Sequence, residues 1–256
     1  MSKFLIRNFL PEAFFIPLWG NRNKYGLVVW KDDKCWKEWQ NVQANKYEIT
    51  QRQGVGVKVC DSGYRIMADL DLEDKVVLEI GPGDIRHIRY WGGPPREYII
   101  ADVSSEMMRK AEYVLKLKNV PYRTVLLSRN QTLPLDDKSI DVIVSFYSLE
   151  HIYPLVPYLN DLKRILRPGG VLAGAIPTEG GIAWGLGRLL TARRWFRKTT
   201  INPDKIYCWE HPNFGDYVLA ALEKIFSPTY VRYWPLPWLR NIDFNLVIRF
   251  IYQKER

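Results

Sequence analysis

The chain has 256 residues, 47% of them hydrophobic and 25% charged, with 37 Lys and Arg against 28 Asp and Glu and a formal charge of +9. That length supports one large domain with a full core, or one domain with an elaboration, and the composition is that of a globular protein. The three cysteines, Cys35, Cys60 and Cys208, lie far apart, which excludes paired metal ligands and a disulfide framework and points to a reducing compartment. The basic balance calls for an anionic partner, whether nucleic acid, a membrane surface or an acidic substrate, without choosing among them.

In chain order, residues 1–53 form an aromatic-rich N-terminal extension holding Trp19, Trp30, Trp36 and Trp39, with no periodicity that assigns a regular element. Its apolar start is interrupted by Arg7, Asn8, Pro11 and Glu12, so it does not read as a signal peptide, and no stretch reaches the length of a spanning helix. The expected location is cytoplasmic, with peripheral membrane contact as an alternative. Residues 54–256 form the main domain. "VGVKVCDSGYRIMADL" reads as a helix leading into the first strand. From residue 75, short apolar runs ("KVVLEI", "EYIIAD", "YRTVLL", "SIDVIVSF", "GVLAGAIP") alternate with helical patterns ("SSEMMRKAEYVLKL", opened by a Ser cap, and "LVPYLNDLKRILRPGG", closed by Pro and Gly). Near-continuous apolar strands separated by helices predict a doubly wound α/β sheet buried on both faces. At the end, "PTYVRYW" and "FNLVIRFIYQ" have only a Pro-rich connection between them, which predicts an antiparallel pairing at the sheet edge.

The first site lies at "VVLEIGPGD", residues 76–84, a strand running into a tight turn. Gly81 and Gly83 let the backbone approach a ligand and adopt conformations that other residues resist. A dinucleotide fingerprint needs a third glycine at position 86, where this chain has Arg86. Asp102 ends the second strand, where a carboxylate accepts from both hydroxyls of a ribose. Glu79 suits a ligand with a cationic part. S-adenosylmethionine carries an ammonium and a sulfonium, whereas a dinucleotide carries phosphates that a carboxylate repels.

With these residues in view, the chain resembles the class I S-adenosylmethionine-dependent methyltransferases. The segments "VVLEIGPGD", "IIADVSSEMM", "LPLDDKSIDVIVSFYSLEHI" and "LKRILRPGGVLAGAIP" carry the resemblance over about residues 75–177. Two later segments, "PTEGGIAWGLGRLLTARRWF" and "EHPNFGDYVLAALEKIF", look like a subgroup associated with surface-polysaccharide genes. The resemblance implies a Rossmann-like, mostly parallel, seven-stranded sheet with an antiparallel last strand, and S-adenosyl-L-methionine as cofactor. It places Glu79, Gly81, Pro82 and Gly83 along the methionine part, Asp102 on the ribose, and Val103 and Met107 beside the adenine. Ser145 and Phe146 face the transfer centre. Where the family has an acid for the adenine amino group, this chain has Arg129, which cannot accept a hydrogen bond; Asn130 or a backbone carbonyl takes that role.

An oxygen acceptor must also lose a proton during attack. His151, after the fourth strand, is the leading general base. His211 in "WEHPNFGDY" is expected to read acceptor hydroxyls, with Glu179 in "PTEGG" meeting His211 over the pocket. No dense carboxylate–histidine cluster in the sequence demands a metal, so none is expected. Neither the Asn-Pro-Pro-Tyr motif nor the Pro-Cys motif of DNA methyltransferases is present. The acceptor is read as a sugar or surface-glycan precursor, lipid-linked in one version. RNA, or a non-catalytic role in holding the cofactor, are the alternatives. Residues 178–212 are read as an acceptor or lid insert, with Ile182, Leu186, Leu189, Leu190 and Phe196 on an apolar helical face and Arg188, Arg193, Arg194, Arg197 and Lys198 around it.

Overall fold

A computed structural model describes residues 4–42, 55–128 and 132–255. Its centre is a seven-stranded sheet in the order β3-β2-β1-β4-β5-β7-β6. The strands are β1 Val76–Ile80, β2 Glu97–Asp102, β3 Tyr122–Leu126, β4 Ile140–Phe146, β5 Leu166–Pro177, β6 Ser227–Trp234 and β7 Val247–Gln253. β1 to β5 are mutually parallel, and β7 runs antiparallel to both β5 and β6. The predicted doubly wound sheet and antiparallel last strand are both present.

Both faces are covered, and the period-two alternation of each strand decides which core a side chain joins. On one face Leu78, Ile80, Ile99, Ile143, Leu172 and Phe250 pack with helices α6 Leu155–Ile165 and α10 Gly215–Ile225. On the other, Val77, Tyr98, Ile100, Val144 and Ala175 pack with α4 Val55–Tyr64 and α5 Ser105–Leu117. Helical spacing delivers the matching stripes, Leu155, Leu159 and Leu162 on α6 and Met108, Ala111 and Leu115 on α5. Ser104 caps α5 as predicted, its hydroxyl accepting from the Met107 amide. The "RPGG" stretch differs from expectation. α6 stops at Ile165, and Arg167 to Gly170 already belong to β5, because Leu166 pairs with Ile140 before the register shifts to Val142 and Val171.

The extension and the insert fold against each other. The extension contains α1 Glu12–Trp19, α2 Arg22–Tyr25 and a helix over 34–42, α3. The insert contains α7 Ile182–Leu190, α8 Ala192–Phe196 and α9 Pro203–Glu210. Trp36 and Trp39 are buried with Phe196, Ile206, Tyr207 and Trp209 in a third core separate from the two sheet faces. Asp33 caps α3, accepting from the amides of Cys35 (2.8 Å) and Trp36 (3.2 Å), and also takes the Lys205 ammonium at 2.5 Å from across the interface. Gly185 permits the close approach of α1, since an added Cβ would lie 3.0 Å from Leu18 Cβ.

The insert is not the single amphipathic stripe expected. Thr191 separates two short helices, Leu186 and Leu190 are exposed, and Phe196 alone of that set is fully buried. The buried residue of α7 is Gly185. Arg188 and Arg193 turn inward, where Glu179 and Asp204 supply opposite charges.

Candidate functional site

β1 lies between β2 and β4, so the strand order reverses beside it and a crevice opens at the carboxyl ends of β1 and β4. Ile80 is level with Ala101 on one side and Ser145 on the other. The glycine turn, Asp102 and the end of β4 therefore share one edge. Gly81 and Gly83 have φ of +67° and +56°, the left-handed region that glycine tolerates. A Cβ on Gly81 would also run into Ser148 Oγ, which is held by the carbonyls of Ile80 (3.2 Å) and Phe146 (3.0 Å). Pro82 sits between the two glycines and its carbonyl accepts from the Ile85 amide at 3.1 Å. Asp102 accepts from the Ser104 amide at 2.8 Å; burial pushes its carboxyl up, and the Ser104 and Val103 amides oppose that. Val103 is exposed and Met107 half-buried on the first turn of α5, the adenine side of the expected site. Ser145 is fully buried and its hydroxyl has no partner among the described residues. A bare turn, a carboxylate and an unpaired hydroxyl at one strand edge fit an adenosyl amino-acid cofactor.

Two expected contacts are different in kind. Glu79 is 1% exposed, and its oxygens are engaged by His87 Nε2 at 2.8 Å and the Tyr98 hydroxyl at 2.7 Å. Trp91 Nε1 donates to His87 Nδ1 at 3.0 Å, so His87 carries its proton on Nε2 and donates to Glu79. Glu79 thus forms a polar floor under the turn. Phe146 is buried in the same floor, stacked on His87 at 4.7 Å and edge-on to Tyr64 at 5.2 Å, away from the open rim. The next residue, Tyr147, is held at a φ of +54° with its hydroxyl donating to the carbonyls of Val59 and Cys60 in α4. Arg129 and Asn130 lie outside the described residues.

Glu179 and His211 lie together as expected, and His151 joins them. His151 and His211 have ring centroids 4.5 Å apart, and His211 Nδ1 is 2.9 Å from Glu179 Oε1. Asn213 makes the junction. It is buried, and its side-chain amide donates to the carbonyls of Leu149 (3.1 Å) and Ile152 (2.6 Å), latching the loop after α9 to the loop after β4. Burial alone would push Glu179 up. The Arg188 charge, with His211 and the Trp184 Nε1 hydrogen bond at 2.8 Å, outweighs it and holds the carboxyl at about 2. Burial drives His211 down to about 3, with Arg188 and His151 adding to the shift against the pull of Glu179. The result is an ionised Glu179 orienting a neutral His211.

Sequence reasoning missed two residues here. Glu150, next to His151, is 2% exposed, and burial pushes it up to about 7. Its adjacency to His151 after a strand was the available signal. Arg22, from the extension, donates to the carbonyls of His211 (2.8 Å) and Pro212 (2.6 Å) and stacks on the Phe214 ring at 3.6 Å. Nothing local in the sequence reveals a contact across 189 residues.

Residues 78–174 match the family described as a methyltransferase domain. A malonyl-[acyl-carrier protein] O-methyltransferase of Pectobacterium atrosepticum is 30% identical over 123 residues, 48% of this chain and 47% of that one. The chain thus spans about half the length of that curated relative. Among solved structures, the CurJ carbon methyltransferase superposes with a TM-score of 0.57 at 16% identity, covering 85% of this chain and 59% of that one. The [4+2]-cyclase SpnF superposes with a TM-score of 0.53 at 13% identity, covering 75% and 79%. At such identities the likeness speaks for the fold alone. Fold and family match together imply S-adenosyl-L-methionine as the cofactor. Residues 78–174 thus match a methyltransferase domain, within a sheet that the rest of the chain completes.

Proposed function

We propose that this chain is a methyltransferase acting on oxygen, with a sugar or surface-glycan precursor as acceptor. The observation that carries the reading is the cluster of His151, His211 and Glu179 at the same sheet edge as the glycine turn. The cofactor supplies an electrophilic methyl group on sulfonium. The chain's own task is to hold the acceptor oxygen in line and to take its proton. His211 is neutral and oriented by Glu179, and His151 is 39% exposed beside it, so one ring is fixed and the other reaches incoming acceptor. Trp184, half-buried and hydrogen-bonded to Glu179, offers an aromatic face of the kind that packs on sugar rings.

The exposed Leu186 and Leu190, with Arg197 and Lys198 also exposed nearby in the chain, support peripheral contact with an anionic membrane that carries a lipid-linked acceptor. Among the described residues no helix is long and apolar enough to cross one. Salt-sensitive sedimentation with anionic liposomes checks that contact. The RNA reading is weaker, because Arg188, Arg193 and Lys205 are spent on internal carboxylates rather than presented to phosphate.

The test is transfer of labelled methyl from S-adenosylmethionine into fractionated cell extract. Label in the glycan fraction is the expected outcome. Label in RNA replaces the sugar reading, and binding of cofactor without label in any fraction supports a non-catalytic role.

A further inference from the structure

One donor atom each from Glu150, His151 and His211 lies within 4.8 Å of the others. We propose that these three residues form a site for one divalent first-row transition metal ion. The binding itself stands independently of the methyl-transfer reading; its use on an acceptor hydroxyl rests on that reading.

The oxygens next to the two rings decide which ring nitrogens keep a lone pair. His151 Nδ1 is bonded to the Glu210 carbonyl. A carbonyl only accepts, so the proton is on Nδ1 and the lone pair is on Nε2. That Nε2 faces Glu150 Oε1 at 3.8 Å. His211 Nδ1 lies 2.9 Å from the anionic Glu179 Oε1, a close approach without hydrogen-bond geometry; the negative charge there favours the proton on Nδ1 and the lone pair on Nε2. Each ring is thus held from behind by an oxygen, the arrangement that orients metal-ligating histidines. Glu150 adds a second, independent observation. It is 2% exposed, and its Oε2 has no hydrogen-bond partner among the described residues. A buried carboxylate oxygen without a donor is costly, and a cation bound by this carboxylate together with the two rings supplies what is missing.

The donor set decides the class of ion. Two imidazoles and one carboxylate suit zinc, cobalt or iron(II), and leave coordination positions open. Magnesium and calcium prefer a shell of oxygens, which this cluster does not offer. The 39% exposure of His151 gives the open side a route to solvent. Placed there, the ion would hold an acceptor hydroxyl through its oxygen and lower its pKa; both ring lone pairs are then on the ion, so water rather than a histidine takes the proton as the hydroxyl's O–H bond breaks and the electron pair stays on oxygen. Glu179 is then a positioning residue acting through His211.

The experiment is titration of untagged, chelator-treated full-length protein with Co²⁺, read by visible absorption, with S-adenosylmethionine binding measured on the same samples. Wild-type protein is expected to take up one Co²⁺ per chain, displaced by Zn²⁺ and not by excess Mg²⁺. His211→Ala and His151→Ala should weaken Co²⁺ binding by more than about 100-fold, and Glu179→Gln by about 10–100-fold, as outer-shell changes do. Glu150→Gln should behave as the histidine variants do. Retained S-adenosylmethionine binding without Co²⁺ uptake by wild type overturns the metal site and leaves the methyl-transfer reading standing. Co²⁺ uptake unchanged in both histidine variants, or displacement by Mg²⁺, also overturns it.

Discussion

The sheet and the lobe made by the extension and the insert are stabilised in opposite ways. The sheet is assembled from neighbours in sequence. Each strand is a short apolar run, β1 is buried at all five positions, and the two faces sort side chains by simple alternation. The lobe is assembled from partners far apart. Trp39 Nε1 meets Glu210 at 2.7 Å across 171 residues, and Lys205 meets Asp33 at 2.5 Å across 172. Its interior carries ions as well as rings: Arg188 reaches the fully buried Glu179, and Arg193 reaches Asp204. Apolar burial tolerates small losses, whereas a buried ion pair with one partner removed leaves a charge that nothing compensates. The lobe should therefore be the more brittle half, and it is the half that holds His211.

The largest effect should come from Arg188→Ala. It strips the main positive partner from a carboxylate with no exposed surface, and about 3–5 kcal/mol of stability should go with it. In a chain of this size that is a fall in Tm on the order of 10 °C, readable by circular dichroism. A fall of only a degree or two would mean the lobe is not held by its ions. Trp39→Ala should cost about 3 kcal/mol through the lost aromatic packing with Phe196 and Trp195. Hydrogen exchange on that variant should show the lobe opening while the sheet stays protected; uniform loss of protection would make the two regions one cooperative unit.

Much of the contrast was legible, for the same physical reason that it exists. The strands, the glycine turn, Asp102 and the antiparallel tail follow from local patterning, so one sequence suffices to place them. His151, His211 and Glu179 were legible as residues that follow strands or open loops, but their contact depends on Asn213 bridging two loops. Glu79 was read as open to a ligand because its partners, His87 and Tyr98, lie 8 and 19 residues away and carry no motif. The stripe on residues 182–196 was misread because periodicity ranks Leu above Gly for burial, while the tight crossing of α1 on α7 buries Gly185 and leaves Leu186 outside. Arg22 could not be seen at all, since it acts on chain positions almost two hundred residues away.

Arg22→Ala sharpens the comparison by linking the lobe to chemistry. Arg22 is positioned to fix the His211 backbone, and burial lowers its own pKa to about 10. Its removal should reduce methyl transfer by about 10–100-fold, the cost of displacing a reacting group by around an ångström, while cofactor affinity stays within about two-fold. Equal losses in both would place the extension under the cofactor instead. The smallest effect is expected from Asp33→Asn, which keeps the α3 cap and loses the Lys205 pair, at about 1 kcal/mol near neutrality. Burial alone would raise Asp33, but the Lys205 hydrogen bond and charge and the Trp36 and Cys35 amides outweigh it, so the carboxyl sits below its ordinary value. A depressed carboxylate stabilises the fold above its unfolded pKa of about 4, and that contribution is lost as pH falls through the folded value. The Tm difference between wild type and Asp33→Asn should therefore hold from pH 7 to about 5 and shrink below 4; a difference that grows on acidification would contradict the ion pair.

The central claim is a division of labour at one sheet edge, with the glycine turn and Asp102 holding S-adenosylmethionine and the His211 cluster serving the acceptor. Calorimetric titration of S-adenosylmethionine into wild type, Gly81→Val and His211→Ala tests it most directly. The account predicts binding by wild type, loss of binding in Gly81→Val, whose side chain must enter the space of Ser148, and unchanged binding in His211→Ala. Loss of cofactor affinity in His211→Ala to the level of Gly81→Val, with the fold intact by circular dichroism, would contradict it.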